Sequence, residues 1–196
     1  MIFAMEATLL VLAGGEARRM GRPKAWLEVG DSTLLKWVAD RLGGEFAEIL
    51  VSFAEPEQIE QHIPYRVVFD RRTGKGPLGG IEAGLHAART EVSFAVACDM
   101  PYVTPDLARM AVAAAMRCDA AVPRLADRPE PVCAAYSKTA LRTISRALDS
   151  GRLKAADVLD ELDVTWLDGL DPDQFESLNT PEDYRRFRGA FVHRDN

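Results

Sequence analysis

The N-terminal segment at residues 9–27, LLVLAGGEARRMGRPKAWL, carries residue types that can bind a polyphosphate. An apolar run ends at Gly14 and Gly15, and because glycine has no Cβ, backbone N–H groups there can approach phosphate oxygens closely. The cations that follow can neutralise phosphate charge. The segment therefore predicts a nucleotide-phosphate site, with a tight turn whose cations are only solvated as the alternative. The cations are Arg18, Arg19, Arg22 and Lys24, against a single acid, Glu16.

A second candidate is Asp99, which directly follows the apolar run VSFAVAC at residues 92–98. Burying an unpaired carboxylate is costly, so Asp99 is expected at the solvent-facing end of a strand. Nucleotide enzymes hold Mg²⁺ with one or two carboxylates together with phosphate oxygens and water. Asp99 therefore suits a Mg²⁺ bound to the same nucleotide. Capping of the helix that begins near Pro105 is an equally weighted alternative.

A third candidate, Asp70, ends another apolar run and precedes a loop rich in glycine and basic residues at 71–80. Its carboxylate can accept hydrogen bonds from a base or a ribose hydroxyl, with the backbone of residues 76–80 packed against a flat ring. The alternative is an ordinary exposed loop in which Asp70 forms a salt bridge.

Asn179 is the last candidate, at the start of the segment NTPED. Thr180 and Pro181 read as the cap and first residue of a helix whose first turn is acidic. Asn179 therefore either shapes this turn or adds a polar group to the site.

The elements that position these residues follow from short apolar runs alternating with helical patterns. This alternation predicts a three-layer α/β/α fold with a mostly parallel sheet covered on both faces. Gly14, Asp70, Asp99 and Asn179 each follow an apolar run, and strand ends in such a sheet line one ligand-binding edge. The strands are predicted at residues 7–13, 48–53, 65–69, 92–98, 119–123, 132–136 and 162–167. The helices are predicted at 31–42 (capped by Asp31 or Ser32), 55–62, 78–88, 105–116, 137–148 and 181–188.

The net charge, the lengths of the apolar segments and the motif spacings argue against several classes of function. The 196 residues carry a net charge of −6, which argues against a broad nucleic-acid surface or an anionic membrane as the main partner. No apolar segment approaches the roughly 20 residues that cross a bilayer, and no signal peptide is apparent, so a cytoplasmic location is expected. The glycine loop at residues 14–24 has neither the GxxxxGK[ST] nor the GxGxxG spacing, and the cysteines and histidines show neither CxxC nor HExxH spacing.

With these residues in place, the segment at 12–35 closely resembles the signature LxGGx[SA]xRMGxxK of nucleotidyltransferases with a Rossmann-like GT-A fold. Within them the chain resembles the MobA-type molybdenum cofactor guanylyltransferases. The likeness continues in family order through GPLGGI at 76–81, CDMPYVTPDL at 98–107 and NTPED at 179–183. One departure is GPLGG, where GPLAG is typical, and the stretch at 124–131 matches only loosely.

The resemblance implies transfer of GMP from Mg-GTP to the terminal phosphate of molybdopterin or its molybdenum-bearing form, with release of pyrophosphate. It implies that Asp99 binds both nucleotide and Mg²⁺, and that Asn179 lies near the pterin phosphate. It also implies one domain over 1–196, with a nucleotide-binding part at about 7–122 and a pterin-side lobe at about 123–178. The remaining residues that it implies at the nucleotide are Leu12, Ala13, Gly14, Gly15, Arg19, Lys24 and Asp70.

Related enzymes leave alternatives open. The similar cytidylyltransferases tend to carry LAAG where this chain has LAGG at residues 12–15, which favours guanine. A cytidylyltransferase, another nucleotidylyltransferase of the fold, or a non-catalytic nucleotide-binding module that delivers cofactor are the rival hypotheses. A transient contact with a molybdoenzyme or a cofactor-insertion protein would fit the delivery of such a product.

Overall fold

The computed structural model describes residues 4–14, 23–72 and 74–192, with the side chains of 191 and 192 left aside. Its central sheet has the strand order β10-β7-β9-β6-β1-β4-β5, with β8 paired to β7. A separate hairpin joins β2 to β3. The strands are β1 (Met5–Leu12), β2 (Glu28–Val29), β3 (Ser32–Thr33), β4 (Phe46–Phe53), β5 (Arg66–Phe69), β6 (Val92–Ala97), β7 (Ala120–Leu125), β8 (Arg128–Pro129), β9 (Cys133–Ser137) and β10 (Val164–Leu167).

The predicted mostly parallel sheet is confirmed. Strand β1 runs parallel to both of its neighbours, β4 and β6, and the pairs β4–β5 and β7–β10 are also parallel. Strand β9, predicted at residues 132–136, inserts antiparallel between β6 and β7. The chain therefore leaves the parallel pattern between β7 and β9 and returns to it with β10.

Helices cover both faces of the sheet, which confirms the three layers. Along β1, Leu9 and Val11 pack into the cluster that contains the apolar residues of α1 and α3, whereas Leu10 and Leu12 pack into the cluster of α2 and α4. This alternation follows from the two-residue period of a strand. The helices are α1 (Leu34–Gly43), α2 (Gly76–Ala87), α3 (Pro105–Ala115), α4 (Leu141–Asp149) and α5 (Pro181–Val192).

Several predicted helix boundaries were wrong. Helix α1 is capped by Thr33, whose hydroxyl accepts a hydrogen bond from Lys36 N. The predicted caps, Asp31 and Ser32, instead belong to the β2–β3 hairpin at residues 28–33. The helix predicted at 55–62 is only a 3-10 turn, Pro56–Gln58. The helix predicted at 137–148 starts as the 3-10 turn Lys138–Ala140 before α4 begins.

Helix α2 begins earlier than predicted, at Gly76, so the glycines at 76–80 form its first turn. Within the described residues, no helix combines the length and apolar composition needed to cross a bilayer.

Candidate functional site

The carboxyl ends of four adjacent parallel strands place the candidate residues on one edge. Leu12 is in register with Ser52 of β4 and with Ala97 of β6. Backbone hydrogen bonds continue one residue further, with Ala13 N donating to Ser52 O at 2.8 Å and Asp70 N to Phe53 O at 3.0 Å. Ala13, Asp70 and the segment leading to Asp99 therefore leave the sheet together, as predicted.

Lys24 lies on this edge because its neighbour Trp26 is anchored in the core. The two belong to a 3-10 turn, Lys24–Trp26, that follows the basic segment. The Trp26 ring is buried and stacks on Phe53 with the ring centroids 6.0 Å apart. Its indole N–H donates to Gln58 O at 2.8 Å. Lys24 is thus held near the end of β4, and its chain can reach across the edge.

The Lys24 ammonium connects two residues from distant parts of the sequence. Its Nζ donates to Asp99 Oδ2 at 2.5 Å and to Asn179 Oδ1 at 2.8 Å. The Lys24 and Asp99 side chains are 22% and 18% exposed, so the pair is largely shielded from solvent but still accessible. One cation, one carboxylate and one amide therefore meet at the predicted site.

Asn179 reaches the site by a route that the sequence did not predict. It follows no strand, since the 3-10 turn Pro172–Phe175 and residues 176–178 precede it. Leu178 N donates to Asp99 O at 2.9 Å and fixes this segment against the loop after β6. The backbone N–H groups of Asn179 and Thr180 donate to the Asp183 carboxylate at 3.2 and 2.9 Å, which caps α5. The turn is structural, but the Asn179 side chain still faces Lys24.

Asp99 is not the cap of α3. Thr104 has that position, and its hydroxyl accepts a hydrogen bond from Leu107 N at 3.3 Å. The Asp99 carboxylate is thus available to Lys24 and to a ligand. In the described part of the chain, no three His, Cys, Asp or Glu side chains converge on one point. A single carboxylate fits Mg²⁺ only if phosphate oxygens and water complete the shell, as is usual in nucleotide enzymes.

Asp70 is half-buried, so it does not lie in an ordinary exposed loop. Burial raises the pKa of its carboxyl to about 6, the hydrogen bond from Ser52 Oγ at 3.3 Å opposes that rise, and the charge of Glu82 adds to it. The nearby Arg72 does not neutralise Asp70, since it pairs with Glu82 and with Asp149. A carboxyl whose pKa is raised by burial at the carboxyl edge of a parallel sheet is a candidate functional group.

Two glycines in the first turn of α2 lie close to the side chains of β4 and of the loop after β5. A Cβ on Gly79 would lie 2.9 Å from Asp70 Oδ2, and one on Gly80 would lie 3.0 Å from Ser52 Oγ. These glycines let the first turn of α2 approach the ends of β4 and β5 closely. The packing of the backbone at residues 76–80 against a flat ring stays a prediction.

The phosphate loop is described only at its beginning. Leu12 and Ala13 are buried, so only their backbone groups can face a nucleotide. A Cβ on Gly14 would lie 2.6 Å from Ala54 N, so steric crowding requires glycine at that position. Gly15 and Arg19, with the rest of 15–22, lie outside the described residues.

Sequence reasoning missed Gln58, which braces this loop. Its Oε1 accepts from Ala54 N at 2.8 Å and from Glu55 N at 3.2 Å, and its Nε2 donates to Gly14 O at 3.4 Å. The signal was available in the spacing of Glu55 and Gln58, which form a capping box on the turn between them.

Comparison with known proteins finds extensive similarity to nucleotidyltransferases. Residues 9–165 match the family model of the MobA-like NTP transferase domain. A probable molybdenum cofactor guanylyltransferase of Pelotomaculum thermopropionicum is 40% identical over 153 residues, which span 78% of this chain and 74% of that protein. Another probable molybdenum cofactor guanylyltransferase, from Peptoclostridium acidaminophilum, is 33% identical over 192 residues, spanning 91% and 86%.

Solved structures show the same fold. The crystal structure of molybdopterin-guanine dinucleotide biosynthesis protein A from Archaeoglobus fulgidus superposes with a TM-score of 0.82 at 25% identity, covering 95% of this chain and 99% of that one. The 2-C-methyl-D-erythritol 4-phosphate cytidylyltransferase of Thermus thermophilus has a TM-score of 0.73 at 21% identity, with 96% and 100% covered. The second likeness is one of fold alone.

Proposed function

The chain belongs to the family of MobA-like NTP transferases, an enzyme family, and we propose that it transfers GMP from Mg-GTP to the terminal phosphate of molybdopterin or its molybdenum-bearing form. The products are the guanine dinucleotide cofactor and pyrophosphate. The observation that carries the proposal is the meeting of Lys24, Asp99 and Asn179 at this edge of the sheet, where the Lys24 ammonium lies 2.5 and 2.8 Å from its two oxygen partners.

The chemistry needs charge neutralisation more than proton transfer. A phosphate oxygen of the acceptor attacks the α-phosphorus of GTP, and the bond from that phosphorus to the oxygen of the leaving pyrophosphate breaks. The attacking oxygen is already anionic, so no strong general base is required. The barrier comes from bringing anions together, and positioned cations and N–H groups lower it.

The residues have distinct parts in this proposal. Lys24 exchanges its contact with Asp99 for the phosphates of the bound nucleotide, and Arg19 adds a second cation. Backbone groups of Leu12, Ala13, Gly14 and Gly15 line the phosphates, while Asp70 accepts hydrogen bonds on the nucleoside side. Asn179 keeps Lys24 in place on the side from which the pterin phosphate enters.

Asp99 would hold Mg²⁺ together with phosphate oxygens. When bound, this ion would offset charge that builds on the α-phosphate and the leaving pyrophosphate. The carboxylate suits this role because it points into the edge and pairs with Lys24 rather than with a helix end.

Two observations support guanine as the base, namely the sequence LAGG at residues 12–15 and the names of the relatives.

We place the pterin side at about residues 123–178 of a single domain over 1–196, with the nucleotide part at about 7–122. We further propose that the enzyme works in the cytoplasm and passes its product on in a transient contact with a molybdoenzyme or an insertion protein.

The test is pyrophosphate release by the purified protein with GTP or CTP and Mg²⁺, with and without molybdopterin. We expect release only when GTP and molybdopterin are both present. Release with CTP alone among the nucleotides would identify a cytidylyltransferase. Nucleotide binding without any release of pyrophosphate would instead indicate a non-catalytic delivery module.

A further inference from the structure

A buried carboxylate on α2 is tied to the loop that carries Asp70. The Glu82 side chain is 1% exposed, and its Oε1 accepts a hydrogen bond from Ser145 Oγ at 2.5 Å. The same oxygen pairs with the guanidinium of Arg72, which lies two residues after Asp70. Arg72 also donates to Asp149 Oδ1 at 2.7 Å. Arg72 thus connects the loop after β5 to α2 and to the end of α4.

This pair resists separation because Glu82 is buried. Burial acts to raise the pKa of the Glu82 carboxyl, but the hydrogen bonds from Arg72 and Ser145 outweigh it and hold that pKa below its usual range. Glu82 Oε2 is buried with no hydrogen-bond partner among the described residues. Moving Arg72 away would leave a buried charge poorly compensated, which is costly. The loop is therefore fastened at Arg72.

Asp70 itself is weakly held. Its side chain has the hydrogen bond from Ser52 at 3.3 Å, which is long, and its Oδ2 rests near the Cα of Gly79. Strand β5 is an edge strand of four residues with a neighbour on one side, so the sheet gives little support to the loop that follows. Glu82 lies one helical turn after Gly79 on α2, so the Arg72–Glu82 pair links the two chain segments that flank Asp70.

We propose that Arg72 and Glu82 act as a positioning pair, which sets Asp70 for contact with the nucleoside of the bound nucleotide. The inference rests on the proposed nucleotidyl transfer, but it concerns residues that touch neither the phosphates nor the metal. Arg72→Gln should weaken GTP binding and raise KM about tenfold, as loss of one well-placed hydrogen bond does. The kcat should stay within about twofold, because Lys24 and Asp99 are unchanged.

A matched control is Arg146→Gln, which removes another arginine–glutamate pair, between Arg146 and Glu161 at 2.8 Å, on the exposed side of α4. Its KM should equal that of the wild type. Arg72→Lys keeps the charge opposite Glu82 and should recover part of the lost affinity. Equal effects of Arg72→Gln and Arg146→Gln on KM would overturn the positioning role.

The double variant Arg72→Met/Glu82→Leu separates positioning from stability. Removing both charges of the pair should restore the melting temperature lost in Arg72→Gln, whereas KM should stay raised because the loop is no longer fastened. Recovery of KM together with the melting temperature would show that the pair is only structural. If the wild-type protein binds GTP but releases no pyrophosphate, the proposed function is refuted and the positioning role is not. The variants would then be compared by their Kd for GTP instead of their KM. Failure of the wild type to bind GTP or CTP would refute both.

Discussion

Lys24 Nζ lies 2.5 Å from Asp99 Oδ2, although 75 residues separate them in the chain. Lys24 comes from the turn that follows the glycine loop, and Asp99 from the loop after β6. Strands β1 and β6 are parallel neighbours in register at Leu12 and Ala97, so the two loops emerge side by side. The ion pair is therefore a direct consequence of the sheet order, and it defines the centre of the proposed active site.

Replacing Lys24 by alanine should lower turnover by a factor on the order of 100 or more, because one preorganised cation at the developing charge is lost. The measurement is kcat from pyrophosphate release at saturating GTP. Lys36→Ala is the matched control, since Lys36 forms an exposed i,i+4 pair with Asp40 on α1. Near-normal turnover in the Lys24 variant would refute its role.

Asp99→Asn should abolish metal-dependent turnover, because the one carboxylate proposed to hold Mg²⁺ becomes a neutral amide. Calorimetric titration of Mn²⁺ into the protein with bound nucleotide should show a matching loss of metal affinity. Asp106→Asn, on α3 and 88% exposed in its pair with Arg109, should change neither quantity. An unaltered Mg²⁺ dependence in the Asp99 variant would contradict the assignment.

Asp70 should make the protein less stable as pH rises. Its pKa is about 6 in the fold against an ordinary 3.8, so the folded state binds the proton more tightly than the unfolded chain. The free energy of unfolding therefore falls between about pH 4 and 6 from this group and stays low above that range. Asp70→Asn should raise the free energy of unfolding by about 1 kcal/mol at pH 7 and by almost nothing near pH 4. The value at pH 7 is smaller than the full pKa shift implies, because the carboxyl is partly solvated.

Urea unfolding of wild type and variant at both pH values checks this sign. Asp160→Asn changes an exposed aspartate in the 3-10 helix Ala155–Glu161 and should give the same small difference at each pH. A benefit of Asp70→Asn that does not grow with pH would contradict the raised pKa.

Gly84→Ala should destabilise the fold by about 1–3 kcal/mol, because α2 packs on β1 with no room for a methyl group. A Cβ at Gly84 would lie 2.5 Å from Cδ1 and 2.9 Å from Cγ of the buried Leu10. Gly44→Ala is the control, since no heavy atom lies within 4 Å of its Cβ position and its φ is −61°. Urea unfolding should separate the two variants, and equal stability would refute the tight contact.

Local chemistry explains why most elements were predictable. The apolar run at 92–98 and the run at 7–13 that ends before a glycine pair both predict buried strands. Thr104 followed by Pro105 predicts the start of a helix. Residue types alone also selected Lys24, Asp70 and Asp99. The predictions were wrong where local signals compete. Residues 28–33, for example, form a short hairpin that includes Asp31 and Ser32, the positions predicted to cap a helix.

The strand–helix alternation, the residue types of the site and the likeness to nucleotidyltransferases could be read from the sequence, because these depend on short-range periodicity and motif spacing. Tertiary structure alone decided that β9 runs antiparallel, that Asn179 reaches Lys24 without following a strand, and that Arg72 pairs with Glu82 rather than Asp70. Each of these depends on which elements pack together over long separations. That choice is made by burial of the two helix layers against the sheet, which no local pattern encodes.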